Sequence, residues 1–209
     1  MNKASTNIHF YKNENGPVIG VTVKPVIEKD GLYFRDLTGD GRLAPYKDWR
    51  NTPAKRAASL AAELSADEKI GMLFVNSWKM GIYQEDRTKV DESGLLNEEI
   101  VEQDESIFNV EKTYGTTCTV KEMGIRHFIL RQNPRPGELA DWINQLNMVA
   151  EGTGHALPVM VLSNSRNEHG EIVFGMNDAA GVFATWPGTM GIAAAVRGNG
   201  PELIDSFAR

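Results

Sequence analysis

The sequence LPVMVLSNSRNEHG at residues 157–170 joins a short apolar run to a dense polar cluster. The apolar run at 159–162 follows a proline and contains no polar residue, which is typical of a strand buried on both faces of a sheet. Hydrogen-bonding side chains begin where this strand stops. In parallel α/β sheets, ligands bind at the carboxyl ends of the strands. The stretch predicts either a binding site for a polyhydroxylated ligand or a polar loop without a ligand.

A second apolar run and an amphipathic helix precede this strand. Residues 125–131 are predicted to form a buried strand, and residues 136–151 a helix that ends at Gly152 and Gly154. The apolar stripe of that helix consists of Leu139, Trp142, Ile143, Leu146 and Ala150. Strand, helix and strand form a βαβ unit, so the two strands are predicted to be parallel. The predicted fold class is therefore α/β.

Composition limits the partners and the compartment. The chain has 209 residues, 41% of them hydrophobic, and a formal net charge of -6. A negatively charged chain is expected to bind nucleic acid or an anionic membrane poorly. The sequence contains no run of about 20 apolar residues, so no membrane span is predicted. Residues 1–10 do not resemble a signal peptide, so the sequence as written predicts a cytoplasmic protein, or a periplasmic or secreted one if the true start lies upstream. Cys118, the single cysteine, is interpreted as structural.

Residues 1–31 are predicted to be an N-terminal extension and residues 32–209 the main domain. A hairpin is expected around a turn at 29–31, between strands at 18–27 and 32–34. Within the main domain, residues 77–119 are predicted to be an acidic insertion with one helix near 97–103.

Two helices are predicted between the hairpin and the insertion. Thr52 and Pro53 begin the first, whose apolar stripe is Ala57, Leu60, Ala61 and Leu64. A capping box at 65–68 begins the second. The buried face of the second helix is predicted to consist of Ile70, Leu73 and Phe74.

Alternating oxygen-bearing residues lie at Asp36, Thr38 and Asp40, and Gly41 follows them. This is the first half of a calcium loop, in which the glycine makes a sharp turn. The twelfth position of such a loop should carry a bidentate Glu, but here it is Lys47. Two interpretations stay open: a calcium site formed by Asp36, Thr38 and Asp40, or a turn whose side chains bond their own backbone. No other cofactor is predicted.

Five segments in order resemble the N-terminal barrel domain of glycoside hydrolase family 3, the β-glucosidase and β-xylosidase family. The segments are FRDLTGDG at 34–41 with YKDW at 46–49, LSADEKIG at 64–71, GIRHFILR at 124–131, LPVMVLSNSR at 157–166, and TWPG at 185–188. The resemblance covers about residues 32–209. It implies the N-terminal part of a TIM (β/α)8 barrel, with about two of the eight strand–helix units, preceded by the small hairpin and two helices.

The resemblance also implies a function, as the front portion of a retaining β-glycosidase that acts on a β-linked glucoside or xyloside. In the family, the position of Asn164 commonly holds an Asp that hydrogen-bonds sugar hydroxyls; an amide keeps an acceptor but loses the charge. Arg131, Arg166 and His169 are further candidate substrate-binding residues, and Trp186 is a candidate pocket wall. The alternatives are an ion pair or loop brace for Arg166 and His169, and a core position for Trp186.

No catalytic residue is assigned. The family's nucleophile is an Asp near a later strand, and a Lys-His pair also contacts the sugar, but neither segment is recognised in this sequence. The isolated chain is therefore expected to be inactive. Because an open piece of a barrel exposes strand edges, we expect self-association or a complementing chain. Two alternatives stay open: a non-catalytic sugar-binding remnant using Asn164, Arg166 and Trp186, and a calcium-dependent interaction module at 36–48.

Overall fold

The computed structural model describes residues 7–78, 80–81, 94–100, 114–130, 134–163 and 186–208. Within these ranges the chain forms two antiparallel hairpins, one three-stranded parallel sheet and six helices, so the fold is mixed α/β as predicted. The strands are β1 (His9–Lys12), β2 (Val18–Val21), β3 (Val26–Lys29), β4 (Leu32–Arg35), β5 (Val75–Trp78), β6 (His127–Leu130) and β7 (Met160–Ser163). The helices are α1 (Pro53–Glu63), α2 (Ala66–Leu73), α3 (Thr116–Lys121), α4 (Pro136–Glu151), α5 (Thr189–Asn199) and α6 (Glu202–Ala208).

The parallel sheet has the strand order β5–β6–β7. The central residue His127 pairs with Val75 on one side and Met160 on the other. The predicted parallel pairing of the strands on either side of α4 is therefore confirmed. The strand β5, which precedes β6 in the chain and pairs with it, was not predicted from the sequence. β5 has only four residues, two of them polar, and this is too few to show a hydrophobic period. Its strand conformation is defined by its pairing with β6.

One face of this sheet carries the core. The predicted apolar stripe of α4 packs there: Trp142, Leu146 and Ala150 are buried, with Leu139 and Ile143 half-buried. These side chains meet one face of the sheet and residues from α3 and the segments before it. The sheet and loop members of the cluster are Trp78, Met80, Leu96, Val120, Ile125, Phe128, Leu130 and Val159. The segment predicted as an acidic insertion thus supplies core residues.

The opposite face of the sheet is largely open in the described part of the chain. The register places Val75, His127 and Met160 side by side on that face. Val75 is 50% exposed and Met160 is 55% exposed. Parallel sheets are normally covered on both faces. Three strands do not close a barrel, so the described fold leaves an apolar surface that a larger sheet would enclose.

Two hairpins replace the single one that was predicted. β3 and β4 pair across Asp30 and Gly31, both with left-handed φ (55° and 74°), as a two-residue type I′ turn requires. The predicted turn is confirmed. The predicted strand at 18–27 is broken instead of continuous: its first half, β2, pairs with β1, which the sequence analysis missed. The break lies at 22–25, where the backbone N–H groups bind a distant carboxylate.

That carboxylate belongs to Glu151, the last residue of α4. Its oxygens accept hydrogen bonds from the backbone N–H of Thr22 (3.0 Å), Val23 (3.1 Å) and Lys24 (2.9 Å), and from the Thr22 hydroxyl. Burial raises the pKa of Glu151, but these hydrogen bonds outweigh burial and hold the pKa below its usual value. The carboxylate anchors the N-terminal hairpins to the main body of the chain.

Glu151→Gln is expected to reduce the free energy of unfolding by about 2 kcal/mol at pH 7, since hydrogen bonds to a charged group are lost. The folded pKa lies below the unfolded value of about 4.3. The contribution is therefore complete above about pH 4.3 and disappears as the pH falls through the folded pKa. Urea unfolding of both proteins between pH 7 and pH 3 measures the difference. Glu122→Gln, at an exposed site, is the matched control. A wild-type-to-variant difference that stayed constant with pH would contradict the anchor.

The predicted helices α1 and α2 are confirmed, but the predicted buried face of α2 is wrong. Ile70, Leu73 and Phe74 are 52%, 83% and 57% exposed. The buried residue of α2 is Gly71, which packs directly on the backbone of the turn before β6. Close backbone contact needs a residue without a side chain, and it turns the larger apolar residues of α2 outward.

The caps of both helices form as predicted. The Thr52 side chain accepts a hydrogen bond from the Lys55 N–H at the start of α1. Ser65 and Glu68 form the reciprocal capping box of α2. Glu68 also contacts Nδ1 of His155 at 2.6 Å, which ties α2 to the loop after α4. In the described part of the chain, α1 carries no fully buried residue, and its predicted stripe is buried only at Leu64, its C-cap.

The helix predicted near 97–103 is not formed at 94–100, and 101–103 lies outside the described residues. The helix of this segment is α3 instead. Thr116, Thr119 and Val120 are its buried residues, whereas Cys118 is a half-buried free thiol. The sequence TTCTVK has too few residues for a helical period to be read, so α3 is defined by its packing on α4.

Candidate functional site

The three parallel strands end at one edge of the sheet. Trp78, Leu130 and Ser163 are register partners and are the last residues of β5, β6 and β7. Arg131 follows Leu130 directly in the sequence, and Asn164 follows Ser163. Two predicted site residues therefore come immediately after adjacent strands at the same edge. This is the edge at which α/β proteins bind ligands.

Two hydrogen bonds in series hold the side chain of Trp78, the last residue of β5. The indole Nε1 of Trp78 donates to Oγ1 of Thr116 at 2.6 Å, and that hydroxyl donates to the carbonyl oxygen of Asn97 at 2.6 Å. The Trp78 ring meets Phe128 edge-to-face, with 6.1 Å between the ring centroids. Because its polar end and its ring are both held, Trp78 fixes the end of β5. The sequence analysis missed this residue, since its strand carries no recognisable pattern.

Most of the predicted substrate-binding residues lie outside the described ranges. Asn164, Arg166 and His169 fall within 164–185, and Arg131 falls within 131–133. The strands that lead to Asn164 and Arg131 are described, and they are adjacent. The roles of the four side chains stay predictions.

Trp186 is the one predicted substrate-binding residue within the described ranges. It is half-buried and lies just before α5. Its ring meets Phe207 of α6 edge-to-face, with 5.4 Å between centroids and an interplanar angle of 80°. This contact connects the segment just before α5 to α6. Its predicted role as a pocket wall stays a prediction.

The predicted calcium ligands converge on a side-chain cation. The Lys47 ammonium donates to Asp36 Oδ1 (2.7 Å), Thr38 Oγ1 (2.6 Å) and Asp40 Oδ1 (2.5 Å). The Lys47 side chain is fully buried, and that of Asp36 is 2% exposed. The sequence signal for this arrangement was the cation at the twelfth loop position. Within the described ranges, no group of three or more His, Cys, Asp or Glu side chains is placed to hold a metal ion.

The charges of this loop stabilise one another. Burial raises the pKa of Asp36, but hydrogen bonds from Lys47 and from the Gly41 and Gly39 N–H groups outweigh burial. The net pKa of Asp36 is therefore below its usual value. The Lys47 hydrogen bond also lowers the pKa of Asp40. Burial lowers the pKa of Lys47, but its two carboxylate partners outweigh this effect and raise it. The loop therefore holds one ammonium and two carboxylates as ions at neutral pH.

Sequence comparison identifies relatives with a named activity. The chain is 30% identical over 185 residues to a periplasmic β-glucosidase/β-xylosidase of Dickeya chrysanthemi, covering 88% of this chain. It is 28% identical over 164 residues to a probable β-glucosidase C of Aspergillus oryzae and 27% identical over 164 residues to one of Aspergillus flavus, each covering 78% of this chain. These relatives confirm the resemblance to β-glucosidases predicted from the motifs. No family model matches the chain.

The chain spans about a quarter of the length of these relatives: 25% of the Dickeya protein and 22% of each Aspergillus protein. The relatives' names thus describe proteins that are much longer than this chain. In the part of the chain that the structure describes, no helix is long and apolar enough to cross a bilayer.

Proposed function

We propose that this chain, a relative of the β-glucosidases of glycoside hydrolase family 3, forms the front part of a (β/α)8 barrel and supplies sugar-binding residues to a retaining β-glycosidase. The observation that carries the proposal is the shared edge of β6 and β7, which Arg131 and Asn164 follow directly. The ordered motifs and the named relatives support the same conclusion.

The sheet supports the barrel part of the proposal. A TIM barrel consists of parallel strands with helices outside and packed side chains inside. Here α4 connects β6 to its parallel neighbour β7 and covers one face of the sheet. The opposite face, with Val75 and Met160 about half exposed, corresponds to the barrel interior. Further strands covering that face would come from a continuation of the chain or from a complementing partner.

The polar residues after β6 and β7 support the binding part. Asn164 is proposed to hydrogen-bond sugar hydroxyls, with Arg131, Arg166 and His169 around it and Trp186 as an apolar wall. An amide in place of the family's Asp contributes neutral hydrogen bonds of about 1 kcal/mol each, instead of about 1.5–3 kcal/mol for charged ones. The substrate class is a β-linked glucoside or xyloside, and this position distinguishes the chain's sugar preference from that of relatives with Asp.

The chemistry requires two carboxyl groups about 5–5.5 Å apart across the scissile bond. We assign neither to the described residues, because the family's nucleophile follows a later strand. The chain alone is therefore proposed to bind without turnover, and the complete barrel to hydrolyse. The periplasmic name of the Dickeya relative favours the periplasmic or secreted alternative over the cytoplasmic one.

The decisive experiment compares two proteins on nitrophenyl β-glucoside and β-xyloside: the 209-residue chain, and the chain joined to the residues encoded after Arg209. We expect turnover only from the longer protein. In that protein, Asn164→Ala should raise KM about fivefold, corresponding to about 1 kcal/mol. Asn144→Ala, at an exposed position on α4, is the matched control and should leave KM unchanged. A longer protein that is inert on all β-glycosides would refute the proposal.

A further inference from the structure

The loop from Asp36 to Lys47 surrounds a positive charge with oxygen atoms. The three N–H donors of the Lys47 ammonium have three oxygen acceptors, one each from Asp36, Thr38 and Asp40, at 2.5–2.7 Å. An ammonium has three donors, so its hydrogen-bonding capacity is fully used. The side chain has no solvent exposure. Such a shell of oxygens around a buried cation is the arrangement that a metal-binding loop provides.

The backbone of the loop follows the same pattern. The carboxylate of Asp36 accepts hydrogen bonds from the N–H of Gly39 (3.0 Å) and of Gly41 (2.7 Å). Both glycines have left-handed φ, 75° and 70°, which turn the chain around the carboxylate. In a calcium loop, side chains at positions 1, 3 and 5 precede a glycine at position 6, and a Glu at position 12 closes the shell. Here position 12 is Lys47, whose side chain enters the shell as the cation.

We propose that residues 36–47 form a cation-binding loop whose occupant is the chain's own Lys47 ammonium, and that the same oxygens bind a calcium ion once this ammonium is removed. Asp36 and Asp40 carry two negative charges, which the single charge of Lys47 neutralises in part. A divalent ion neutralises both. Calcium prefers six to eight oxygens, so water molecules complete its shell, and affinity falls in the millimolar class of sites with few charged ligands.

The Lys47 ammonium also has a structural role, because its loop lies between the hairpins and α1. The N–H of Asp36 donates to the carbonyl oxygen of Pro25 (3.1 Å), which fixes the start of the loop on the second hairpin. Beyond the loop, the Trp49 indole N–H donates to the Tyr33 carbonyl oxygen (3.0 Å), and its ring stacks on Phe34 with 5.6 Å between centroids. The Lys47 ammonium therefore connects the start of the loop at Asp36 to the segment that carries Trp49. Both of these contact the β3–β4 hairpin or the residue just before it.

The test is thermal melting of the wild type, Lys47→Ala and Lys47→Glu, each in calcium chloride and in chelator, with magnesium chloride as the competing divalent ion. The wild type should melt at the same temperature in all three, because the ammonium fills the shell. Lys47→Glu supplies the carboxylate that calcium loops have at position 12 and should gain about 3–6 °C when calcium is about ten times its dissociation constant. Lys47→Ala should melt below the wild type and recover part of the loss in calcium.

Lys55→Ala, at an exposed position on α1, is the matched control and should respond to neither ion. Recovery of a folded Lys47→Glu protein only in calcium would also support the proposal. A wild type stabilised by calcium would overturn it, since the ion would then displace Lys47. A Lys47→Glu protein that melts identically with calcium and chelator, or that is unfolded in both, would overturn it as well.

Discussion

Trp142→Ala is expected to lower the free energy of unfolding by about 3–5 kcal/mol, the usual loss when a buried aromatic ring becomes a cavity. Trp142 is fully buried on α4 and belongs to the cluster with Trp78, Phe128 and Leu146 that holds the parallel sheet. Its removal opens the face on which all three strands rest. Urea unfolding followed by tryptophan fluorescence and circular dichroism measures the loss.

Two further variants separate packing from hydrogen bonding. The Trp142 Nε1 has no hydrogen-bond partner among the described residues, and a buried N–H without a partner costs about 1–3 kcal/mol. Trp142→Phe removes that N–H and keeps most of the ring, so its loss should stay below about 1.5 kcal/mol. Trp186→Ala, at a half-buried site against Phe207, should cost about 1 kcal/mol. Equal losses for Trp142→Ala and Trp142→Phe would contradict a packing role.

Gly71→Ala is expected to destabilise the protein by about 1–3 kcal/mol or more. A Cβ at this position would lie 2.5 Å from the Met123 carbonyl oxygen and 2.6 Å from the Gly124 carbonyl oxygen. Both contacts are with backbone, which cannot rotate away as a side chain does, so α2 must move off the turn before β6. The melting temperature and the free energy of unfolding report the effect.

Gly137→Ala is the matched control for this substitution. Gly137 lies in the first turn of α4, and a Cβ there would meet nothing within 4 Å. Replacing an unhindered helical glycine by alanine stabilises by about 0.4–1 kcal/mol, because it restricts the unfolded chain. The same chemical change should therefore have opposite signs at the two positions. A Gly71→Ala protein as stable as the wild type would show that the close approach of α2 is dispensable.

The part of the fold nearest to the candidate site follows from the sequence. The spacing of Trp142, Leu146 and Ala150 predicts both the limits and the buried face of α4, because sixteen residues give four turns over which a period can be recognised. The apolar runs on either side predict β6 and β7, and chain topology makes such strands parallel. The shared edge after Leu130 and Ser163 was thus predictable.

Short elements were not predictable in the same way. β1 and β5 have four residues each, and their side chains show no alternation that distinguishes them from a loop. The exposed face of α2 was misassigned because hydrophobicity alone cannot reveal that Gly71 must touch a neighbouring backbone. Likewise, Glu151 is the last residue of α4, and the sequence around it does not indicate that its carboxylate binds the backbone of Thr22–Lys24.

The loop at 36–47 lies between these cases. The oxygens of Asp36, Thr38 and Asp40 were interpreted as possible calcium ligands, and in the structure they surround the Lys47 ammonium. The lysine at position 12 was noted as the departure from the calcium pattern. A positive side chain at the closing position of a negative loop is sufficient reason to predict an internal ion pair, so this feature was readable from charge alone.

The anchor between Thr22 and Glu151 joins residues 129 positions apart. A ribosome adds about 5–20 residues per second, so the Glu151 carboxylate is synthesised roughly 6–26 s after Thr22. Until then the two hairpins have no main body to dock on, and they are held by their own strand pairs and by the hydrogen bonds between Asn13 and Tyr33. Codon choice between these two positions therefore sets how long the nascent chain keeps its amino-terminal strands undocked.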